Sequence, residues 1–155
     1  MSLNKWKIEA KCNAIDDYEI QSIINCYIDP RIKKVIGKSF QYPEEASAFS
    51  DVNNRVIYIP VLWKENFPYG ELEWVVLHEL IHVVNNHQGI DPRNDEPIAD
   101  SGAAILQGTK QHGIRVLRKL SSGNLNAYSS EIIGRGPPSL TYRERIELLS
   151  QLNLP

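Results

Sequence analysis

Between Glu71 and Asn86 the apolar positions stop alternating and become almost continuous. Val75, Val76, Leu77, Leu80, Ile81, Val83 and Val84 are interrupted only by His78, Glu79 and His82. A helix that is apolar on nearly every side belongs inside a protein. The pattern therefore predicts a buried helix from Glu71 to Asn86, entered through Pro68-Tyr69-Gly70. Its exit is expected at His87-Gln88-Gly89, where the glycine suits a C-terminal cap.

The remaining elements read more weakly. Asp16-Asp17 followed by Ile20, Ile23, Ile24, Tyr27 and Ile28 predicts an amphipathic helix with an acidic first turn, ended by Asp29-Pro30. Arg31 to Gly37 fits a helical turn or a strand. Ala46 to Phe49 and Arg55 to Ile59 flank Asp51-Val52-Asn53-Asn54, which predicts a hairpin. Pro60 bounds its second strand and marks that strand as a sheet edge. A second long helix is expected from Asp95-Glu96-Pro97 through Ile98, Ala99, Ala103, Ile105 and Leu106. Asp95 serves as its N-cap, and Pro97 is tolerated in the first turn. Gly102 and the alanines give this helix a slim face that can pack close to the first. Gly113 is expected to end it, with a short helix from Ile114 to Leu120. Ser121 to Pro138 reads as loop, and Thr141-Tyr142-Arg143-Glu144 as a capping box that opens a last helix through Ile146, Leu148, Leu149 and Leu152. The expected class is α+β, a small antiparallel sheet with helices packed around it, in a single domain over residues 1–155.

Composition narrows the function classes. The chain is 42% hydrophobic and 23% charged with a formal net charge of −2, which offers no electrostatic footprint for a nucleic acid. No apolar run reaches the length of a membrane span, and Met1 to Lys11 lacks the apolar core of a signal peptide. A cytoplasmic location is therefore expected. Cys12 and Cys26 have neither zinc-site nor disulfide-framework spacing and are expected to be reduced, with Cys26 packed in a helix.

The three polar residues inside the apolar helix carry the chemistry. Residues four apart stack on one helix face, so His78 and His82 present two imidazoles to a common point. Glu79, rotated by about 100°, can reach a water beside that point. Burying these groups is costly without a partner, and a metal ion supplies one. The plainer alternative is a core helix whose histidines hydrogen-bond to backbone. His-Glu-x-x-His is the zinc-binding pattern of metalloproteases, in which the ion acidifies a water and the glutamate takes its proton. The expected cofactor is Zn2+ and the expected partner a protein or peptide substrate.

A catalytic zinc needs three protein ligands, and His87, Glu96, Asp100 and His112 all follow the motif. His87 lies five residues after His82 and would leave the His78/His82 face if the helix continued. His112 lies at the far end of the second helix. Glu96 opens that helix, with Asp100 one turn on along the same face. Glu96 can bind the ion while Asp100 accepts a hydrogen bond from a ligand histidine's other nitrogen. Both acids are also the ordinary first-turn partners of a helix dipole.

His78-Glu79-x-x-His82 followed by Glu96-x-x-Ala99-Asp100 resembles the gluzincin pattern of the HtpX and CAAX-prenyl-protease metallopeptidases. Pro137-Pro138-Ser139 with Arg145-Ile146 is similar to that family's C-terminal stretch. Glu-x-x-Ala-Asn of the ImmA/IrrE proteases is a related pattern. The resemblance covers about the second half of the chain. It implies a zincin-like fold with a metal-binding helix and a glutamate helix. His78, His82 and Glu96 would be the ligands, Glu79 the general base and Asp100 the support for a ligand histidine. The chain departs from the pattern in three ways: it has no transmembrane helices, Gly136 stands where the family has histidine, and His82 and Glu96 are close together. The expected activity is hydrolysis of peptide bonds, with Tyr128, Arg135, Tyr142 and Arg143 as candidate oxyanion partners. The alternatives are an ImmA-like protease dedicated to one regulatory protein, and a zinc-stabilised regulatory protein without turnover.

Overall fold

A computed structural model of the protein describes residues 11–13, 18–27, 36–38, 48–53, 56–59, 61–87, 92–122 and 140–155. In chain order these hold β1 (Lys11–Asn13), α1 (Tyr18–Tyr27), β2 (Ile36–Lys38), β3 (Phe49–Asp51), β4 (Val56–Tyr58), α2 (Val61–Asn66), α3 (Tyr69–Val84), α4 (Pro92–Gln107), α5 (Gln111–Ser121) and α6 (Tyr142–Ser150). The expected α+β fold built on a small antiparallel sheet is not what forms. The described residues are mostly helical, and every strand is only three residues long. The strands line up in the order β2-β1-β4-β3, with β1 parallel to both β2 and β4. Only β3 and β4 run antiparallel, with Phe49 opposite Tyr58 and Asp51 opposite Val56. Parallel partners come from distant segments and leave no local turn signal, so the sequence displayed only the hairpin.

That order also reverses the expected edge. β4, the strand bounded by Pro60, is internal, and β3 is the edge strand. β4 ends at Tyr58, two positions before the proline, which lies outside the described residues.

α3 is the centre of the core. Leu72, Trp74 and every residue from Val75 to Val84 are buried, His78, Glu79 and His82 included. Around it pack Ile20, Ile23 and Ile24 of α1, Ile57 of β4, Ala99, Ala103 and Ala104 of α4, and Val116 and Leu117 of α5. Fully burying side chains of this size stabilises by roughly 1.5–3 kcal/mol each, which outweighs the cost of taking three polar groups inside once those groups find partners. Cys26, by contrast, sits on α1 but faces solvent rather than packing.

The boundaries of two helices differ from expectation. α3 stops at Val84 because Asn86 takes a left-handed conformation, φ 53°. The Asn86 N–H then donates to the Val83 carbonyl and the His87 N–H to the His82 carbonyl, the paired bonds of a Schellman cap. Asparagine thus supplies the cap that Gly89 was expected to provide. α4 begins at Pro92, three residues before Asp95, and carries Pro97 inside it. It ends at Gly108, φ 74°, whereas Gly113 lies within α5. A Cβ on Gly113 would lie 2.5 Å from Trp74 Nε1 and 2.8 Å from Leu149 Cδ2, so this glycine is there for close approach.

Gly102 does the same between α4 and α3, where an added Cβ would meet Ile81 Cδ1 at 2.6 Å. The small residues of α4 thereby bring its acids within reach of the α3 histidines. At the other end of the chain the expected capping box forms. Thr141 Oγ1 accepts from the Glu144 N–H, and Glu144 Oε1 from the Thr141 N–H, both at 3.0 Å.

Candidate metal centre

One helical turn sets the two imidazoles face to edge, with His78 Nε2 and His82 Nε2 3.1 Å apart. Glu96, on the second turn of α4, closes the group from outside. Its Oε1 lies 2.9 Å from His82 Nε2 and its Oε2 3.3 Å from His78 Nε2. Ligand atoms held tetrahedrally at 2.0–2.1 Å from zinc are spaced by roughly 3.3 Å, so these three donors stand at about the right separations for one ion. The two histidines are nearly buried, while the Glu96 side chain is 28% exposed and forms the solvent side of the site. His78, Glu79 and His82 by themselves form a buried cluster able to hold a metal ion.

Each member is backed by a second residue. His78 Nδ1 lies 2.9 Å from Asp100 Oδ1, with the oxygen off the N–H direction, so the contact is an ion pair more than an aligned hydrogen bond. The Trp74 ring lies 5.3 Å from the His78 ring, and its Nε1–H donates to the Asp100 carbonyl at 3.3 Å. His82 Nδ1 faces His87 Nδ1 at 2.9 Å. Ser50 Oγ, on the edge strand, lies 2.7 Å from the Glu79 carbonyl oxygen and 2.8 Å from Glu79 Oε1. The other Glu79 oxygen, Oε2, is 3.7 Å from His78 Nε2. The carboxylate thus borders the imidazole pair without entering it.

Arg145 of α6 is the cation of the site. Its Nε and Nη2 donate to Asp100 Oδ2 and Oδ1 at 2.9 and 2.8 Å, and Nη2 approaches Glu96 Oε2 at 3.3 Å. Burial opposes its charge, but the Asp100 and Glu96 carboxylates overcome this and raise its pKa further. Burial works against the Glu96 carboxylate too, yet Arg145 and the two histidines hold it well below the usual range. Asp100 is held down in the same way, by Arg145 and then His78. Burial likewise disfavours a charged His78, but Glu96 and Asp100 push its imidazole up to about 10.

That last shift has a measurable consequence. A raised histidine pKa stabilises the metal-free protein fully below its ordinary value of 6.5, and this contribution disappears as the pH rises through about 10. A shift in this direction favours the protonated imidazole at neutral pH, and a metal ion binding there would have to displace that proton. Zinc uptake at pH 7 is expected to release about one proton per ion and to tighten with pH across this window. Titration calorimetry in buffers of different ionisation enthalpy reads the proton number; a heat independent of buffer contradicts it.

The structure brings together His78, Glu79, His82, Glu96 and Asp100 and leaves the other candidates elsewhere. His87 lies behind His82, against its outer nitrogen. His112 is on α5, beside Gly70, with Arg115 Nη2 2.9 Å from its Nδ1. Of the proposed oxyanion partners, Arg143 is exposed and Tyr142 is buried with its ring 5.5 Å from the Arg145 guanidinium. Tyr128 and Arg135 lie outside the described residues, as do Gly136, Pro137, Pro138 and Ser139. Ser50, Arg145 and the contact between His87 and His82 were not anticipated. Arg145 had a signal: it sits three residues after Tyr142 and four before Leu149, on the buried stripe of its helix. Ser50 had none, being one hydroxyl in a short strand far along the chain.

Searches of protein-family models, of curated proteins and of solved structures each returned no match to this chain. Among the described residues no helix is long and apolar enough to cross a membrane.

Proposed function

We propose that the protein is a zinc-dependent metallopeptidase with His78, His82 and Glu96 as ligands and Glu79 as general base. The observation that carries this reading is the convergence of two imidazole nitrogens and one carboxylate at ligand-like separations, with a further carboxylate at their edge. A zinc ion at this point would polarise a substrate carbonyl and lower the pKa of a water to about 7.

The chain's own residues then have distinct tasks. Ser50 donates to one Glu79 oxygen, which leaves Oε2 to accept a proton from the attacking water and to deliver it to the leaving amine. Asp100 faces the outer nitrogen of His78, and Arg145 holds the Asp100 carboxylate in place. β3 is the sheet edge, and its Ser50 touches Glu79. Its outer side, which pairs with no strand among the described residues, offers an extended peptide a strand to join, with the scissile bond near the general base.

The test is metal analysis of the purified protein combined with hydrolysis of unfolded polypeptides, with and without a chelator. Bound zinc and chelator-sensitive cleavage are expected. Zinc without cleavage of unfolded polypeptides supports instead a protease dedicated to one regulatory protein or a metal-stabilised regulatory protein without turnover.

A further inference from the structure

Taking the metal centre above as its basis, we infer that His87 is a positioning residue that fixes which nitrogen of His82 faces the ion. Asn86 takes the left-handed conformation that ends α3, and the His87 N–H then donates to the His82 carbonyl at 2.9 Å. This turn folds the chain back, so that His87 sits over the residue five before it instead of continuing away along the helix. The two rings meet edge to face at 5.1 Å between centroids, with their Nδ1 atoms 2.9 Å apart.

Only one of two such nitrogens can carry the shared proton. Asp95 biases the choice. Its Oδ1 lies 3.5 Å from His87 Nε2 and favours the tautomer with the proton on that nitrogen. With an ion bound between His82 Nε2 and Glu96, His87 Nδ1 is then the bare acceptor, His82 Nδ1–H is the donor, and the His82 Nε2 lone pair is left for the ion. The orientation of a ligand histidine through its other nitrogen is ordinarily the work of a carboxylate, a carbonyl or a water. Here a second histidine does it, and Asp95 supplies the carboxylate one step further out. Asp95 and Glu96 are adjacent in the chain, so the start of α4 serves both His82 nitrogens: Glu96 on the inner side and, through His87, Asp95 on the outer.

The experiment measures zinc affinity by competition with a chromophoric chelator for the parent protein, His87→Ala and His87→Asn. Asparagine places a carbonyl oxygen close to where His87 has Nδ1 and can accept the same hydrogen bond. His87→Ala is expected to bind zinc about 10–100-fold more weakly, and His87→Asn to recover most of that loss. Equal affinity of parent and His87→Ala overturns the inference while leaving the metal centre intact. So does a His87→Asn protein as weak as the alanine variant, since packing alone would then explain both. A parent that binds no divalent ion removes the metal centre and this inference together. A readout on the unaltered protein guards against misfolding of the variants. Long-range 1H–15N spectra of the zinc-loaded chain are expected to show His87 protonated on Nε2; a proton on His87 Nδ1 refutes the assignment.

Discussion

Replacing Arg145 with methionine is expected to destabilise the metal-free protein by about 3–5 kcal/mol, the usual cost of removing one partner from a buried ion pair. The guanidinium makes two short bonds to Asp100, whose side chain is only 3% exposed, and a third contact to Glu96. Methionine fills much of the same volume but strands both acids. The protonated His78 still faces them and limits the loss, and a bound zinc ion limits it further by supplying positive charge beside Glu96. The penalty is therefore expected to shrink when zinc is present. Denaturant unfolding of parent and variant, with and without zinc, gives both numbers. Lysine should fall between, because it keeps the charge and loses the fork that matches a carboxylate. A methionine variant within about 1 kcal/mol of the parent, against the 3–5 expected, contradicts the role given to Arg145.

The second large effect concerns chemistry rather than folding. Glu79→Gln is expected to lower peptide hydrolysis by about 10²–10⁴-fold while zinc content stays near that of the parent. Glutamine keeps the shape and still accepts the Ser50 bond at Oε1, now as an amide oxygen. It loses only the ability to take a proton. Because Glu79 borders the imidazole pair without joining it, the substitution leaves the proposed ligands His78, His82 and Glu96 untouched. Loss of zinc together with activity would mean that Glu79 helps to hold the ion, and the division of roles would have to be redrawn. Retained hydrolysis would remove Glu79 as the base.

The two halves of the site differ in how visible they were before the fold was known. His78, Glu79 and His82 are fixed relative to one another by a single helical turn, so their convergence follows from spacing alone. The buried setting was equally visible, because an unbroken apolar run leaves such a helix no face to give to water. Glu96 and Asp100 were legible as a pair on one face of a later helix, though nothing local distinguished a first-turn acid from one turned toward the histidines. His87 was set apart from the His78/His82 face on the condition that the helix continued through it. Asn86 breaks that condition, since a left-handed residue costs asparagine less than most others and is still not announced by its neighbours.

The sheet shows the same division. The β3–β4 hairpin lies within one short stretch, and its turn residues gave it away. The parallel pairing of β1 with β2 and β4 joins segments far apart in the chain, and it made β3 rather than β4 the edge. By itself the sequence determined the buried helix, its imidazole pair and its neighbouring carboxylate, because helical geometry needs no long-range information. Only the tertiary structure decided that Ser50, Asp100, Arg145 and His87 stand around that helix. Each is brought there by the packing of a separate segment or by one backbone turn, and such contacts depend on the whole chain at once.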